Sequence, residues 1–279
     1  VKLRALLLAA ITLPASYFAA GACALRFALD PLVFLHIAPS GHAATPPLLR
    51  IPGPGGSAML LRRYGTAEVG CVLFFPGRHG LLPAYEKGLF EALTTHGIAV
   101  LAVAYPGQNG APGNTHLSDI SALATQAVVA ARSACPGHQV VVYGRSLGSM
   151  VAAYAAGQSH PAGLVLESAA PSLSSAIRLR LREHWYLAPL ALLPLSRIIP
   201  HDFSLTEALS DTRRMPSIVF QGTADIVTPL PALRAGGIPP GLQLVTVPGG
   251  GHSNTYVLAQ DRIVRTVRCM LLAPHTGAK

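Results

Sequence analysis

Acidic residues are scarce in this chain: 12 Asp and Glu stand against 21 Lys and Arg in 279 residues, and charged residues of both signs make up only 12%. An average soluble domain carries roughly 25%. So few charges exclude a coiled coil, which needs them to dress a long polar face, and intrinsic disorder, which pairs high net charge with low hydrophobicity. Four cysteines are too few for a disulfide scaffold, and no CxxC or His/Cys cluster has metal-ligand spacing, so neither a metal nor an organic cofactor is expected. Internal repeats are lacking. The net charge of +9 is not gathered into a basic stripe with aromatics; Arg178, Arg180 and Arg182, with Arg197 beyond, come nearest, and nucleic acid is not an expected partner. What the chain has in abundance is apolar residues (51%), 27 glycines and 24 prolines, with a mean hydropathy of +0.43.

Part of that hydrophobicity sits at the start. After Lys2 and Arg4, Ala5 to Ala24 carries no charge, close to the ~20 apolar residues that span a bilayer. A second apolar piece, Phe27 to Ala38, is interrupted by Asp30 and Pro31. Two readings stay open: a signal peptide cleaved near Ala22-Cys23-Ala24, or an uncleaved anchor whose basic flank leaves the rest of the chain on the extracytoplasmic, periplasmic side. The length of the run favours the anchor. Lipidation at Cys23 lacks the usual preceding Leu, and an ordinary buried helix fits Pro14 and the polar flanks poorly. Residues 1–38 are therefore expected to be an anchor or signal segment, and the Pro/Gly-rich stretch to residue 57 a linker (39–57).

Residues 58–279 read as one domain. Short apolar runs read as strands, Met59-Arg63, Cys71-Phe75, Ala99-Ala104, Val140-Tyr143, Gly163-Glu167, Ile218-Gln221 and Leu242-Val247, and most have the continuous hydrophobicity of parallel strands covered on both faces. Helix-like stretches fill the gaps at Tyr85-His96, Leu117-Ala134, Leu147-Gln158 and Tyr256-Leu272. The alternation predicts an α/β fold with a mostly parallel central sheet and helices on both faces. Only the stretch of about 171–215 breaks the rhythm, too long for a plain connection. Its Trp185, Tyr186 and Leu/Pro-rich run to Pro200 predict a small helical insertion.

The strongest local signal is Gly144-Arg145-Ser146-Leu147-Gly148, which follows a strand and opens a helix of small residues, the setting of a nucleophile elbow. Ser146 is the candidate nucleophile. A serine hydroxyl needs a base, and the base an orienting acid. Asp225 follows the strand Ile218-Gln221 in Gly222-Thr223-Ala224-Asp225, and His252 follows the strand Leu242-Val247 in Gly249-Gly250-Gly251-His252. Both fall where strands end, the edge at which α/β sites assemble. Oxyanion donors are expected from the backbone N–H of Leu147 and from the turn Phe74-Phe75-Pro76-Gly77-Arg78-His79-Gly80, with Arg78 as the donor. No substrate-binding residue can be named.

The elbow, the Ser-Asp-His order, Ala104-Tyr105-Pro106-Gly107, Gly222-Thr223-Ala224-Asp225-Ile226-Val227-Thr228-Pro229 and Gly251-His252 together resemble the α/β-hydrolases, in particular the membrane-anchored serine hydrolases related to the fungal bud-emergence protein and the serine aminopeptidase-like group. Where that family has His-Gly-Asn in the oxyanion turn, this chain has Pro76-Gly77-Arg78. The resemblance implies the α/β-hydrolase fold, with the insertion as a lid. It implies a serine hydrolase that cleaves carboxylic esters or thioesters of small-molecule or lipid-like type through Ser146, His252 and Asp225. It also implies that the strand opened by Cys71 neighbours the strand that Cys135 precedes, so either a Cys71–Cys135 disulfide or two buried thiols is expected. A catalytically silent envelope binding protein of the same fold, and a peptidase or amidase, are the competing expectations.

Overall fold

In a computed structural model of the chain, residues 2–34, 46–210 and 215–274 are described, those of 2–9 and 11 by their backbone alone. Eight strands form one sheet in the order β1-β2-β4-β3-β5-β6-β7-β8. They are β1 (Pro47–Pro52), β2 (Ala58–Tyr64), β3 (Gly70–Phe75), β4 (Ile98–Ala104), β5 (Val140–Arg145), β6 (Gly163–Glu167), β7 (Ser217–Gly222) and β8 (Leu242–Val247). β1 and β2 pair antiparallel at one edge, and every pairing from β4 to β8 is parallel.

All seven expected strands are present, and β3, β4, β6 and β7 are buried along their whole length, as strands covered on both faces must be. Successive side chains alternate between two cores. Leu73, Phe75, Leu101 and Val142 pack under the helices Leu117–Ala134 and Leu147–Ser159. Val72, Phe74, Val100 and Val141 meet Ile263, Val264 and Val267 of the helix Gln260–Leu272 on the other face.

Four expectations need correcting. The linker expected over 39–57 contains β1, which pairs with β2 from Pro47 to Pro52; prolines at both ends suit an edge strand, where one side needs no ladder donors. Residues 39–45 lie outside the described residues, as do 35–38. The helix expected over Tyr85-His96 is broken at Lys87 and Gly88, where Gly88 has φ 143° and ψ −102°, a conformation open to glycine. The helix expected over Tyr256-Leu272 is interrupted at Ala259.

The fourth correction concerns the start. Lys2–Phe27 is one helix with Pro14 inside it, and its second half lies on the body. The Tyr17 hydroxyl donates to the Tyr186 carbonyl, and Gly21 sits so close to the insertion that a Cβ there would lie 2.4 Å from Leu190 Cδ2. Leu25, Leu29, Val33 and Phe34 are buried in the same core as the sheet. Asp30 accepts the Leu117 N–H at 3.0 Å and meets His116 Nδ1 at 2.9 Å, which satisfies an orphan donor at the start of the helix Leu117–Ala134. Residues 25–34 thus belong to the domain core rather than to a segment set apart from it. Among the described residues no helix is long and apolar enough to cross a membrane.

The insertion is helical as expected, with Leu173–Arg182, Ala188–Leu192, Leu195–Ile198 and Leu205–Ala208. Asp202 pins its first helix by accepting the Ser174 N–H at 2.6 Å and the Ser174 hydroxyl at 2.9 Å. Residues 211–214, at its end, lie outside the described residues. Cys71 and Cys135 are joined in a disulfide, tying the start of β3 to the end of the helix Leu117–Ala134.

Candidate active site

The parallel strands deliver the site at their C-terminal ends. Ser146 stands between β5 and the helix Leu147–Ser159 with φ 53° and ψ −121°, a strained backbone for a residue with a side chain. The turn persists because its neighbours have no Cβ. One added at Gly144 would lie 2.2 Å from the Gly148 carbonyl oxygen, and one at Gly148 2.1 Å from that of Phe75. The Ser146 N–H donates to the Glu167 carbonyl at 2.9 Å and locks the elbow to β6.

Ser146, His252 and Asp225, 106 and 27 positions apart along the chain, meet here. Ser146 Oγ lies 2.9 Å from His252 Nε2, and His252 Nδ1 lies 3.0 Å from Asp225 Oδ2 and 3.2 Å from Oδ1. Asp225 is held in place by the N–H groups of Val227 (2.9 Å) and Thr228 (2.8 Å) and by the Thr228 hydroxyl at 2.8 Å. Burial pushes the Asp225 pKa up, but the hydrogen bonds from His252 and Thr228 outweigh it and the net shift is downward. An ionised carboxylate only accepts, so Nδ1 carries the imidazole proton and Nε2 is left free to accept one from Ser146.

Of the two expected oxyanion donors, Leu147 is the first residue of its helix, where the N–H has no intrahelical acceptor. Arg78 lies in the turn after β3. Gly77 before it is close enough to the elbow that a Cβ would lie 3.4 Å from Ser146 Cβ. This turn is clamped by the loop after β4: the Tyr105 hydroxyl donates to the Pro76 carbonyl at 3.1 Å, Gln108 Nε2 to the Arg78 carbonyl at 2.9 Å, and the Asn109 amide to the Gly80 carbonyl. Gly80 has φ 62°, and a Cβ there would collide with Gln108 Oε1 at 1.9 Å.

Sequence reasoning missed a second layer. Arg145, the variable residue of the elbow, donates from its guanidinium to the Tyr85 hydroxyl at 2.9 Å and to the backbone carbonyl of His252, and its Nε faces Glu167 Oε1 at 3.4 Å. Fully buried Glu167 also accepts the Tyr143 hydroxyl at 2.9 Å and the Tyr256 N–H at 3.1 Å. Burial acts to lower the Arg145 pKa, yet Tyr85 and Glu167 beside it raise it on balance, so the guanidinium stays charged. Gln221, buried below Asp225, accepts the Ala169 N–H at 3.0 Å and donates to the Thr228 carbonyl. The one signal in the sequence was a carboxylate, Glu167, ending an otherwise apolar strand.

Comparisons with known proteins agree with this architecture. Residues 66–201 match the family model described as serine aminopeptidase, S33. No curated protein sequence matches the chain. Among solved structures, the fold is similar to that of an esterase from Pyrococcus furiosus, with a TM-score of 0.61 at 14% identity over 80% of this chain and 88% of that one. A monoacylglycerol lipase from Paleococcus ferrophilus aligns with a TM-score of 0.53 at 19% identity over 76% and 99%. An alpha-beta serine hydrolase homologue from Coxiella burnetii aligns with a TM-score of 0.53 at 15% identity over 81% and 100%. With its mostly parallel eight-stranded sheet, its helices on both faces and these likenesses, the chain has the α/β-hydrolase fold.

Proposed function

We propose that the protein is a serine hydrolase that cleaves carboxylic esters or thioesters, with lipid-like acyl compounds favoured by the apolar insertion. The observation that carries this reading is the continuous chain of contacts from Ser146 Oγ through His252 to Asp225, 2.9 Å and 3.0 Å at its two links. Ser146 Oγ attacks the carbonyl carbon while His252 Nε2 takes the hydroxyl proton, and Asp225 holds the imidazole and stabilises its charge. The N–H groups of Leu147 and Arg78 hold the oxyanion. Collapse expels the alcohol or thiol, which takes the proton from His252. Water then attacks the acyl-enzyme with His252 again as base, releasing the acid and restoring Ser146.

A fluorophosphonate probe should label the wild type and not Ser146→Ala. Labelling of both equally would remove Ser146 from the mechanism, and labelling of neither would favour a silent binding protein of this fold. A second reading, amide or peptide hydrolysis, is favoured by the similarity of residues 66–201 to the serine aminopeptidase family; matched ester and amide substrates separate the two.

For location, the reading is an extracytoplasmic protein that meets the membrane through its N-terminal helix. It is supported by the uncharged run Ala5 to Ala24 behind two basic residues and by the Cys71–Cys135 disulfide, a bond that persists in oxidising compartments. Recovery of the protein in the soluble cytoplasmic fraction with both thiols reduced would refute it. The relation to the bud-emergence group is proposed on the same resemblance.

A further inference from the structure

The turn that passes Ser146 at Gly77 carries, at Arg78, a cation with no ion-pair partner among the described residues. The Arg78 main chain is fixed in the oxyanion turn, but its side chain is not satisfied: Nε is sealed from solvent and meets no hydrogen-bond acceptor. The ion pairs among the described residues engage Asp30, Glu167, Glu183 and Asp225, and none of them reaches Arg78. Its charged neighbours are instead of the same sign. Burial first, and then the charge of Arg180 on the helix Leu173–Arg182, lower the Arg78 pKa. The pKa of His79, the next residue, is lowered by burial and then by Arg78, Arg145, Arg180 and His252. Among the described residues, the carboxylates paired around this cluster have other partners: Glu167 has Arg145, Glu183 has Arg180 at 3.0 Å and Asp225 has His252.

A half-buried guanidinium with an unmet donor, whose cationic neighbours hold the nearby carboxylates themselves, is costly unless an anion meets it. Its planar fork of donors fits a carboxylate or a phosphate. We propose that the site takes esters that carry an anionic group, carboxylate or phosphate, within a side chain's reach of the scissile carbonyl, and that the Arg78 side chain binds that anion with Arg180 supporting it from the insertion. The inference rests on the acyl-transfer reading of Ser146 and narrows its substrate class. It gives Arg78 two separate jobs: its backbone N–H faces the transition-state oxyanion, and its side chain reads a second negative charge on the substrate. This also accounts for an arginine in a turn whose catalytic part needs only a backbone donor.

Three matched ester pairs test it at low ionic strength. The nitrophenyl monoester of glutaric acid against nitrophenyl valerate places the charge in the acyl part. The butyrate ester of 4-hydroxybenzoate against that of 4-hydroxybenzamide places it in the alcohol. A monoacylglycerol phosphate against the monoacylglycerol places it in a lipid headgroup. The anionic member of at least one pair should have the higher kcat/KM by about tenfold or more, the gain expected of a charge-assisted pair. That ratio should fall towards one in Arg78→Met, which keeps the backbone N–H, and be partly kept in Arg78→Lys; because it is a ratio within one preparation, any loss of folded protein cancels. Ser146-dependent hydrolysis in which the neutral member is equal or better in all three pairs would overturn the proposal and leave the serine-hydrolase reading standing. An anionic preference unchanged in Arg78→Met would overturn the assignment to Arg78. Hydrolysis of no ester in the panel would overturn both.

Discussion

Replacing Arg145 by methionine removes a charge that touches nothing in the reaction and yet should disable the site. Its guanidinium joins the Tyr85 hydroxyl, the His252 carbonyl and Glu167, and it is the only cation among the described residues paired with that fully buried carboxylate. Removing one partner of a buried ion pair strands the other, at about 3–5 kcal/mol. Glu167 keeps its bonds from Tyr143 and Tyr256, so the lower half of that range is expected for Arg145→Met. In Arg145→Met/Glu167→Gln the stranded charge is gone, and the four proteins of the cycle should show a coupling of about 2 kcal/mol in urea denaturation. Catalysis should fall as well, because the His252 backbone loses its tether. A displacement of about 1 Å costs up to about 100-fold, read as the rate constant of fluorophosphonate labelling on the folded fraction and as kcat with KM little changed. An Arg145→Met protein within about 1 kcal/mol of wild type, or a cycle that is additive, would refute the account of this network.

Other outcomes follow from the same geometry. Thr228→Val removes the hydroxyl that donates to Asp225 at 2.8 Å and should lower kcat about tenfold; an unchanged kcat would make Thr228 a mere turn residue. Gly148→Ala forces a methyl into the Phe75 carbonyl and should cost about 3 kcal/mol in urea denaturation, the upper range for overpacking; a stable variant would mean the elbow can relax. The Cys71–Cys135 bond closes a separation of 64 residues, worth about 4 kcal/mol through the unfolded chain, so Cys71→Ala/Cys135→Ala should lose about that much, and a loss below about 1 kcal/mol would contradict it. Asp225 has a lowered pKa when folded. Its contribution to stability is therefore complete above its unfolded value of about 4 and is lost as pH falls through the lower folded value. Acid titration of the urea midpoint should show this component in wild type and not in Asp225→Asn; identical profiles would refute it.

The features legible in the sequence were those encoded in contiguous residues. Seven strands showed as largely apolar runs, most plainly β3, β4, β6 and β7, which are covered on both faces. The elbow showed because a Cβ at Gly144 or Gly148 would lie 2.2 Å or 2.1 Å from a backbone oxygen, and the Asp225 and His252 that meet beside it because each follows a strand. What escaped depended on distant contacts. β1 is short, proline-bounded and made a strand by its pairing with β2, so composition alone read it as linker. The burial of Leu25 to Phe34 is decided by the core of the sheet, whereas in the sequence these residues only prolong an apolar start. Arg145 in the elbow pattern is a variable position, and its partners lie at Tyr85, Glu167 and His252, far apart along the chain.

The central claim is that Ser146 becomes acylated. Mixing the protein with a nitrophenyl ester should release a burst of nitrophenol equal to the enzyme present when deacylation is slower than acylation, and acid quenching should trap the acyl group. Mass analysis of the quenched, digested protein tests this directly. An acyl adduct on the peptide at Ser146, absent in Ser146→Ala, is the predicted result. Turnover with no adduct, or with the acyl group on another residue, would contradict it.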